Sequence, residues 1–141
     1  MAKVCDNTSV GIIVRNDAGD ILVIERKKFP FGHAAPAGHI DEFGSPELAA
    51  RGELKEEVNL SIVSMELVIE NQLVSNHCRR FGGDHHYWWV FDAVVEGEIV
   101  PSATETKNVF FANADTLQRL AAQTESYLTQ TISEKDWDEI S

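Results

Sequence analysis

The sequence predicts a mixed-sheet α+β or α/β sandwich. Three observations carry that expectation. β-prone runs surround one central helix in an irregular order, unlike the regular strand–helix alternation of a doubly wound parallel sheet. A second helical segment follows the last of these runs. The 141 residues fit one domain over 1–141, and no repeat, low-complexity tract or polar linker marks a boundary.

The elements follow in order. Ser9 to Val14 and Ile21 to Glu25 read as strands. Between them Asn16-Asp17-Ala18-Gly19-Asp20 is turn-forming, which predicts a hairpin. Lys27 to His33, broken by Pro30 and Gly32, reads as a loop, and Ala35 to Ile40 as a short extended piece. Ser45-Pro46 starts a helix, because Ser is a favoured cap and Pro fits the first helical position. That helix runs to about Val58, with Asn59 as its stop. Leu60 to Glu70 and Gln72 to Cys78 are β-prone, and Gly82-Gly83-Asp84 makes a turn. His86 to Val95 is an aromatic, β-branched strand in which Tyr87, Trp89 and Phe91 alternate with Trp88 and Val90, so each set faces one side. Val109 to Phe111 is a short strand, and Asp115 caps a helix through about Ala122. The acidic stretch 133–141 reads as a terminal helix or a frayed tail.

Charge excludes some functions. The chain carries 12 Lys+Arg against 23 Asp+Glu, a formal net charge of −11. Affinity for DNA or RNA duplexes and for anionic membranes comes from basic side chains, so neither is an expected partner. No apolar run reaches the roughly 18–20 residues of a membrane span, and the first residues lack a signal-peptide core. Two cysteines, Cys5 and Cys78, make no disulfide scaffold, so a reducing cytoplasm is expected. An acidic protein that handles phosphates needs cations to do it.

The segment with most chemistry is Gly38 to Leu60. Glu53, Glu56 and Glu57 stand at i, i+3 and i+4 and share a helix face. Their repulsion costs roughly 0.2–0.5 kcal/mol per exposed pair and more when desolvated. Gly52 costs the helix about 1 kcal/mol more relative to Ala. A hard divalent cation with oxygen ligands offsets such a cluster. The spacing alone fits a solvated acidic face equally well.

The segment resembles the Nudix box, G-x5-E-x7-R-E-U-x-E-E-x-G-U with U apolar. Gly38, Glu53, Leu54, Glu56, Glu57 and Leu60 fall in register, while Gly44, Gly52 and Asn59 stand where the pattern has Glu, Arg and Gly. The opening strands, Ala35 to His39 and Val109 to Phe111 with its following helix resemble the family too, so the likeness covers nearly the whole chain. It implies an α/β/α sandwich with a mixed β-sheet. It also implies metal-dependent hydrolysis of a nucleoside diphosphate linked to another moiety, by in-line attack of water at phosphorus. By resemblance Glu53, Glu56 and Glu57 are catalytic and hold Mg²⁺, or Mn²⁺ in its place, with a carbonyl of Ala37 or Gly38 completing the shell. Glu53 is then a candidate to orient the water, and Glu105 a candidate outer base. Asp41, Glu42 and Glu47 lie near Gly44 and offer substitute carboxylates. Arg51 is about 100° around the helix from position 52 and cannot replace the missing Arg.

Substrate contacts are expected from Arg79 and Arg80, whose guanidinium groups grip phosphate or carboxylate, and from Phe31 by stacking. Phe29, Arg26, Lys27 and Lys28 are further candidates. His77-Cys78 and His85-His86 invite a zinc reading, but consecutive strand residues point to opposite faces, and Cys5 has no evident partner. A Nudix-like nucleotide-binding module with weak or lost hydrolysis is the alternative, motivated by Gly44 and Gly52. An acidic interaction domain is the third reading. The Leu60 to Glu70 edge makes a homodimer conceivable.

Overall fold

The computed structural model describes residues 4–28, 32–75, 78 and 80–123. Among them the chain runs β1 (Thr8–Val14), β2 (Ile21–Arg26), β3 (Gly32–Ala34), β4 (Ala37–His39), a 3₁₀ turn (Asp41–Phe43), α1 (Pro46–Val58), β5 (Ser61–Val74), β6 (His86–Glu96), β7 (Thr106–Ala112) and α2 (Ala114–Gln123). Phe29, Phe31, His77, Arg79 and the stretch 133–141, all singled out above, lie outside the described residues.

The strands form two sheets, ordered β4-β1-β6-β5 and β3-β2-β7. β1 runs parallel to β6, while β4, β5 and the pairs of the second sheet are antiparallel. The expected mixed sheet is thus present. Both faces are covered. Val10, Ile12, Val14, Leu22 and Ile24 pack with Ala49, Ala50, Leu54 and Val58 of α1. Their alternating neighbours Ile13, Ile21 and Val23 pack with Trp88, Val90 and Leu117 of α2. Phe91 and Ala93 of β6 join the α1 side. Both faces of the aromatic strand are therefore core, as a sheet between two helices requires.

Four expectations are corrected. Asn16 to Asp20 does turn, with Asn16 N–H donating to Asp20 O at 3.0 Å, but β1 and β2 share only the Arg15–Ile21 bridge before joining different sheets. Each finds other edges: β1 takes β4 and β6, and β2 takes β3 and β7. The loop reading of Lys27 to His33 misses β3, whose His33 pairs with Glu25. The two β-prone runs after α1 form one strand, β5, which absorbs Asn71 at φ 53° through register shifts. α2 is capped by Asn113, whose Oδ1 accepts the Thr116 N–H at 2.9 Å, and Asp115 sits in the first turn.

α1 starts and stops as expected. Ser45 is extended at φ −151° and its side chain accepts the Leu48 N–H at 3.2 Å, with Pro46 in the first turn. Asn59 is left-handed at φ 64° and returns its N–H to Lys55 O. Asn tolerates that conformation better than most residues, so it serves where the family pattern has Gly.

Candidate active site

The site forms where α1 passes β4. Glu57 is 6% exposed, and its Oε2 accepts the Ala37 N–H at 3.1 Å. Burial pushes its carboxyl well above the usual range, and Glu53 adds to that push. Arg26, the Ala37 amide and their positive potential act against it. Glu53 lies one turn earlier. Burial raises its carboxyl to about 8, with Glu56, Glu105 and Asp41 adding negative charge and Arg80 opposing them.

Gly38 explains itself here. A Cβ on Gly38 would overlap the Glu53 carboxylate, so the strand must be bare for the helix carboxylate to reach it. Glu56 is exposed and shares the face by helical spacing. Glu105 is also exposed, in the segment before β7. That segment is tied to the C-terminal turn of α1 by Val100 N–H to Val58 O at 2.9 Å and Ser102 N–H to Glu57 O at 2.8 Å. Lys27 N–H donates to Glu105 O at 3.1 Å, so the expected basic segment and the expected outer base meet.

Arg80 comes to the same rim. Its Nη1 donates to Asp41 Oδ2 in a short ion pair. Burial alone would lower the guanidinium, but Asp41 outweighs it and holds Arg80 higher than usual. Asp41 is thus committed to an arginine, which weighs against it as a free substitute for the carboxylate missing at Gly44. His39, next to Gly38, is pushed down to about 4 by burial and by the Arg80 charge, so its ring is neutral.

Sequence reasoning missed three features. Gly44 is left-handed at φ 87° with open space around it, so this position suits glycine better than the patterned Glu. Gly52 faces the Phe43 ring, which a Cβ at 52 would overlap. An aromatic ring has taken the space in which the family arginine would leave the helix. Arg51 points elsewhere and donates to Ile62 O on β5 at 3.0 Å. Arg26, expected only as a further substrate contact, also opposes the upward shift of Glu57. Only the ends of such contacts are written locally, so Phe43 and Gly52 gave no readable signal. Arg79 and Phe31 lie outside the described residues and Arg80 within them.

The residues fit a hard divalent cation. Burial and neighbouring carboxylates raise the proton affinity of Glu53 and Glu57, and the bare Cα of Gly38 lies against the Glu53 carboxylate. Such a set lacks only positive charge.

Comparison with known proteins agrees with this fold. The NUDIX domain model matches residues 6–131. A NUDIX hydrolase from Nitrosomonas europaea superposes with a TM-score of 0.72 at 19% identity, over 94% of this chain and 88% of that one. A MutT NUDIX hydrolase from Burkholderia pseudomallei gives 0.68 at 26% identity, over 88% and 96%. The NUDIX domain of Shewanella oneidensis NrtR, complexed with ADP ribose, gives 0.66 at 16%, over 99% and 89%. No curated protein matches the chain.

Proposed function

The chain belongs to the Nudix family, hydrolases that act on pyrophosphate bonds, and from that premise we propose that it hydrolyses a nucleoside diphosphate linked to another moiety with Mg²⁺, or Mn²⁺ in its place. One observation carries the reading: Glu57 is buried and held to the Ala37 N–H with Glu53 one turn away, an arrangement that resists ionisation and that a cation would offset. Glu53, Glu56 and Glu57 would hold the ion with the carbonyl of Gly38 or Ala37. When bound, the cation neutralises phosphate oxygens as charge moves onto the leaving group.

The chain's own residues do the rest. Glu53 orients the attacking water from the β4 side. Glu105, on its tethered segment, is the outer proton acceptor. Arg80 and Arg26 supply positive charge at the rim, where a diphosphate has to pass the carboxylates. Arg79 and Phe31 extend that set by sequence position. The Shewanella relative is described with ADP ribose, so a nucleoside diphosphate joined to a sugar leads the substrate panel.

The setting belongs to the same reading. Two cysteines are too few for a disulfide scaffold, which supports a reducing, cytoplasmic location. Among the described residues no helix is long and apolar enough to cross a membrane. Net charge −11 leaves duplex DNA and RNA as poor partners. A homodimer through the β5 edge is supported by exposed Val63, Leu67, Val68 and Leu73, and light scattering at micromolar concentration tests it.

A phosphate-release screen tests the activity. Nucleoside triphosphates, dinucleotides and nucleotide sugars are offered with Mg²⁺ or Mn²⁺, with Glu57→Gln alongside. Turnover by the wild type that drops at least about 100-fold in the variant is the expected result. Ligand binding without turnover, in protein that still binds the cation, would replace the hydrolase by the binding-module reading that Gly52 and Phe43 favour.

A further inference from the structure

Four metal-ligating side chains converge outside the carboxylate site. Cys5 precedes β1, His39 ends β4, Cys78 lies between β5 and β6, and His86 opens β6. One ligand atom from each lies within 4.8 Å of all the others. Cys5 Sγ and His86 Nε2 are already 3.4 Å apart. The rings of His39 and His86 meet edge to face at 5.5 Å. In a tetrahedral zinc site, bonds of ~2.3 Å to sulfur and ~2.0–2.1 Å to nitrogen separate the ligand atoms by about 3.3–3.8 Å. Small side-chain rotations therefore complete the sphere.

We propose that Cys5, His39, Cys78 and His86 form a structural Cys₂His₂ zinc site that braces the strand carrying Gly38.

Three further observations point the same way. Both sulfurs accept the backbone N–H two residues on: Asn7 N–H to Cys5 Sγ at 3.3 Å and Arg80 N–H to Cys78 Sγ at 3.4 Å. Such bonds favour thiolates, the form that ligates. His39 Nε2 is buried with no hydrogen-bond partner among the described residues, a costly state that a metal bond relieves. The backbone around the site is built to hold it. Cys78 N–H donates to Gly83 O, Gly83 N–H to Arg80 O and Cys5 N–H to Phe81 O. Asn7 Nδ2 bonds both Gly82 O and His85 O at 2.8 Å. A Cβ on Gly83 would overlap Cys78 Sγ, so glycine is required for the cysteine to turn inward.

The ligand set decides the metal class. Two sulfurs and two imidazoles select zinc over Mg²⁺, which takes oxygen. Four protein ligands leave no open position, so the site is structural. It is also distinct from the pairs that the sequence suggested. From the adjacent pairs, Cys78 and His86 belong to the cluster. His85 is instead half-exposed and bonds Asp84 Oδ1 at 2.7 Å. Cys5 and His39 complete the set from far along the chain. Bound zinc would fix His39 beside Gly38, and Cys78 beside the Arg80 that pairs with Asp41.

The test uses the full chain purified without chelator under reducing conditions. Elemental analysis is expected to find about one zinc per chain. Cobalt exchanged for zinc is expected to give thiolate charge transfer and the strong visible bands of a tetrahedral site. Cys78→Ser is expected to weaken zinc retention at least about tenfold and to diminish the charge-transfer band. His39→Asn serves if that variant does not fold. Glu57→Gln is expected to keep the zinc and the spectrum in full. Reduced wild type that takes up neither zinc nor cobalt overturns the proposal. So does zinc lost in Glu57→Gln but kept in Cys78→Ser, since the ion would then sit on the carboxylates. Metal-free protein with a Cys5–Cys78 disulfide overturns it as well.

Discussion

At the scale of single residues, the two glycines that face side chains make opposite predictions. A methyl at Gly38 meets the far end of Glu53, a flexible side chain that can swing aside. Gly38 has an ordinary backbone conformation, so alanine fits the strand. Gly38→Ala should therefore leave thermal stability almost unchanged while displacing the Glu53 carboxylate to which the proposed function assigns the water. A misplacement of ~1 Å costs about 100-fold in turnover, and steady-state kinetics would read it. Unchanged kinetics would mean that Glu53 does not act from the position beside β4. A methyl at Gly52 meets the Phe43 ring instead, which is wedged between the 3₁₀ turn and α1. Alanine gains about 1 kcal/mol of helix propensity, but overpacking costs about 1–3 kcal/mol, so the second effect wins. Gly52→Ala should lower stability in urea denaturation, and adding Phe43→Leu should restore much of it. An alanine variant as stable as the wild type would show that the ring moves freely. Arginine at 52 is thus accessible only once Phe43 is gone.

At the scale of elements, the ends of α1 set where the carboxylates stand. Ser45 removes one unpaired N–H from the first turn, and Ser45→Ala should cost about 1 kcal/mol by chemical denaturation. A loss much below a few tenths would mean that Pro46 alone starts the helix. This helix was legible in the sequence because its signals are local: Ser-Pro at the start, Asn at the stop, and Glu at i, i+3 and i+4. Most strand positions were legible for the same reason of period, but not β3, which is too short to show one. What was not legible depends on which edges meet. Nothing in Asn16 to Asp20 says that β1 and β2 will separate into two sheets, because a turn fixes direction and not the later partner. β5 reads as two runs because Asn71 interrupts its apolar pattern, and only pairing with β6 carries it across. The site divides in the same way. The Glu positions are written in one helix, whereas Arg80 reaches Asp41 across 39 residues and His39 reaches Cys5 and His86 across the sheet. Phe43 against Gly52 is the plainest case, since neither residue alone predicts the other.

At the scale of the whole molecule, an acidic chain with buried carboxylates should respond to pH and cations together. Glu53 sits near 8 when folded and near 4.5 when unfolded, and Glu57 shifts in the same direction. The folded state therefore holds protons that the unfolded state has released. The stability this contributes is full below the unfolded value and is lost as pH rises through the folded one. His39 works the other way. Its folded value of about 4 lies below the ordinary 6.5, so it removes stability as pH falls through that range. The two effects oppose each other below pH 6.5, and only the carboxylates act from there to pH 8. Cys5, held at about 11, and Asp6, held below its usual value, titrate outside that window. Chelated protein should thus lose thermal stability between pH 6.5 and 8, beyond any change in a Glu53→Gln variant. Millimolar Mg²⁺ must displace those same protons to bind. The rise in melting temperature that it brings should then be larger at pH 8 than at pH 6.5. Thermal scans across both pH values, with and without Mg²⁺, measure the two slopes in one experiment. A melting temperature that rises from pH 6.5 to 8 without metal would mean the carboxylates are already ionised in the folded chain. Their burial would then be relieved by Arg26 and Arg80 alone, and no cation would be needed to hold the site together.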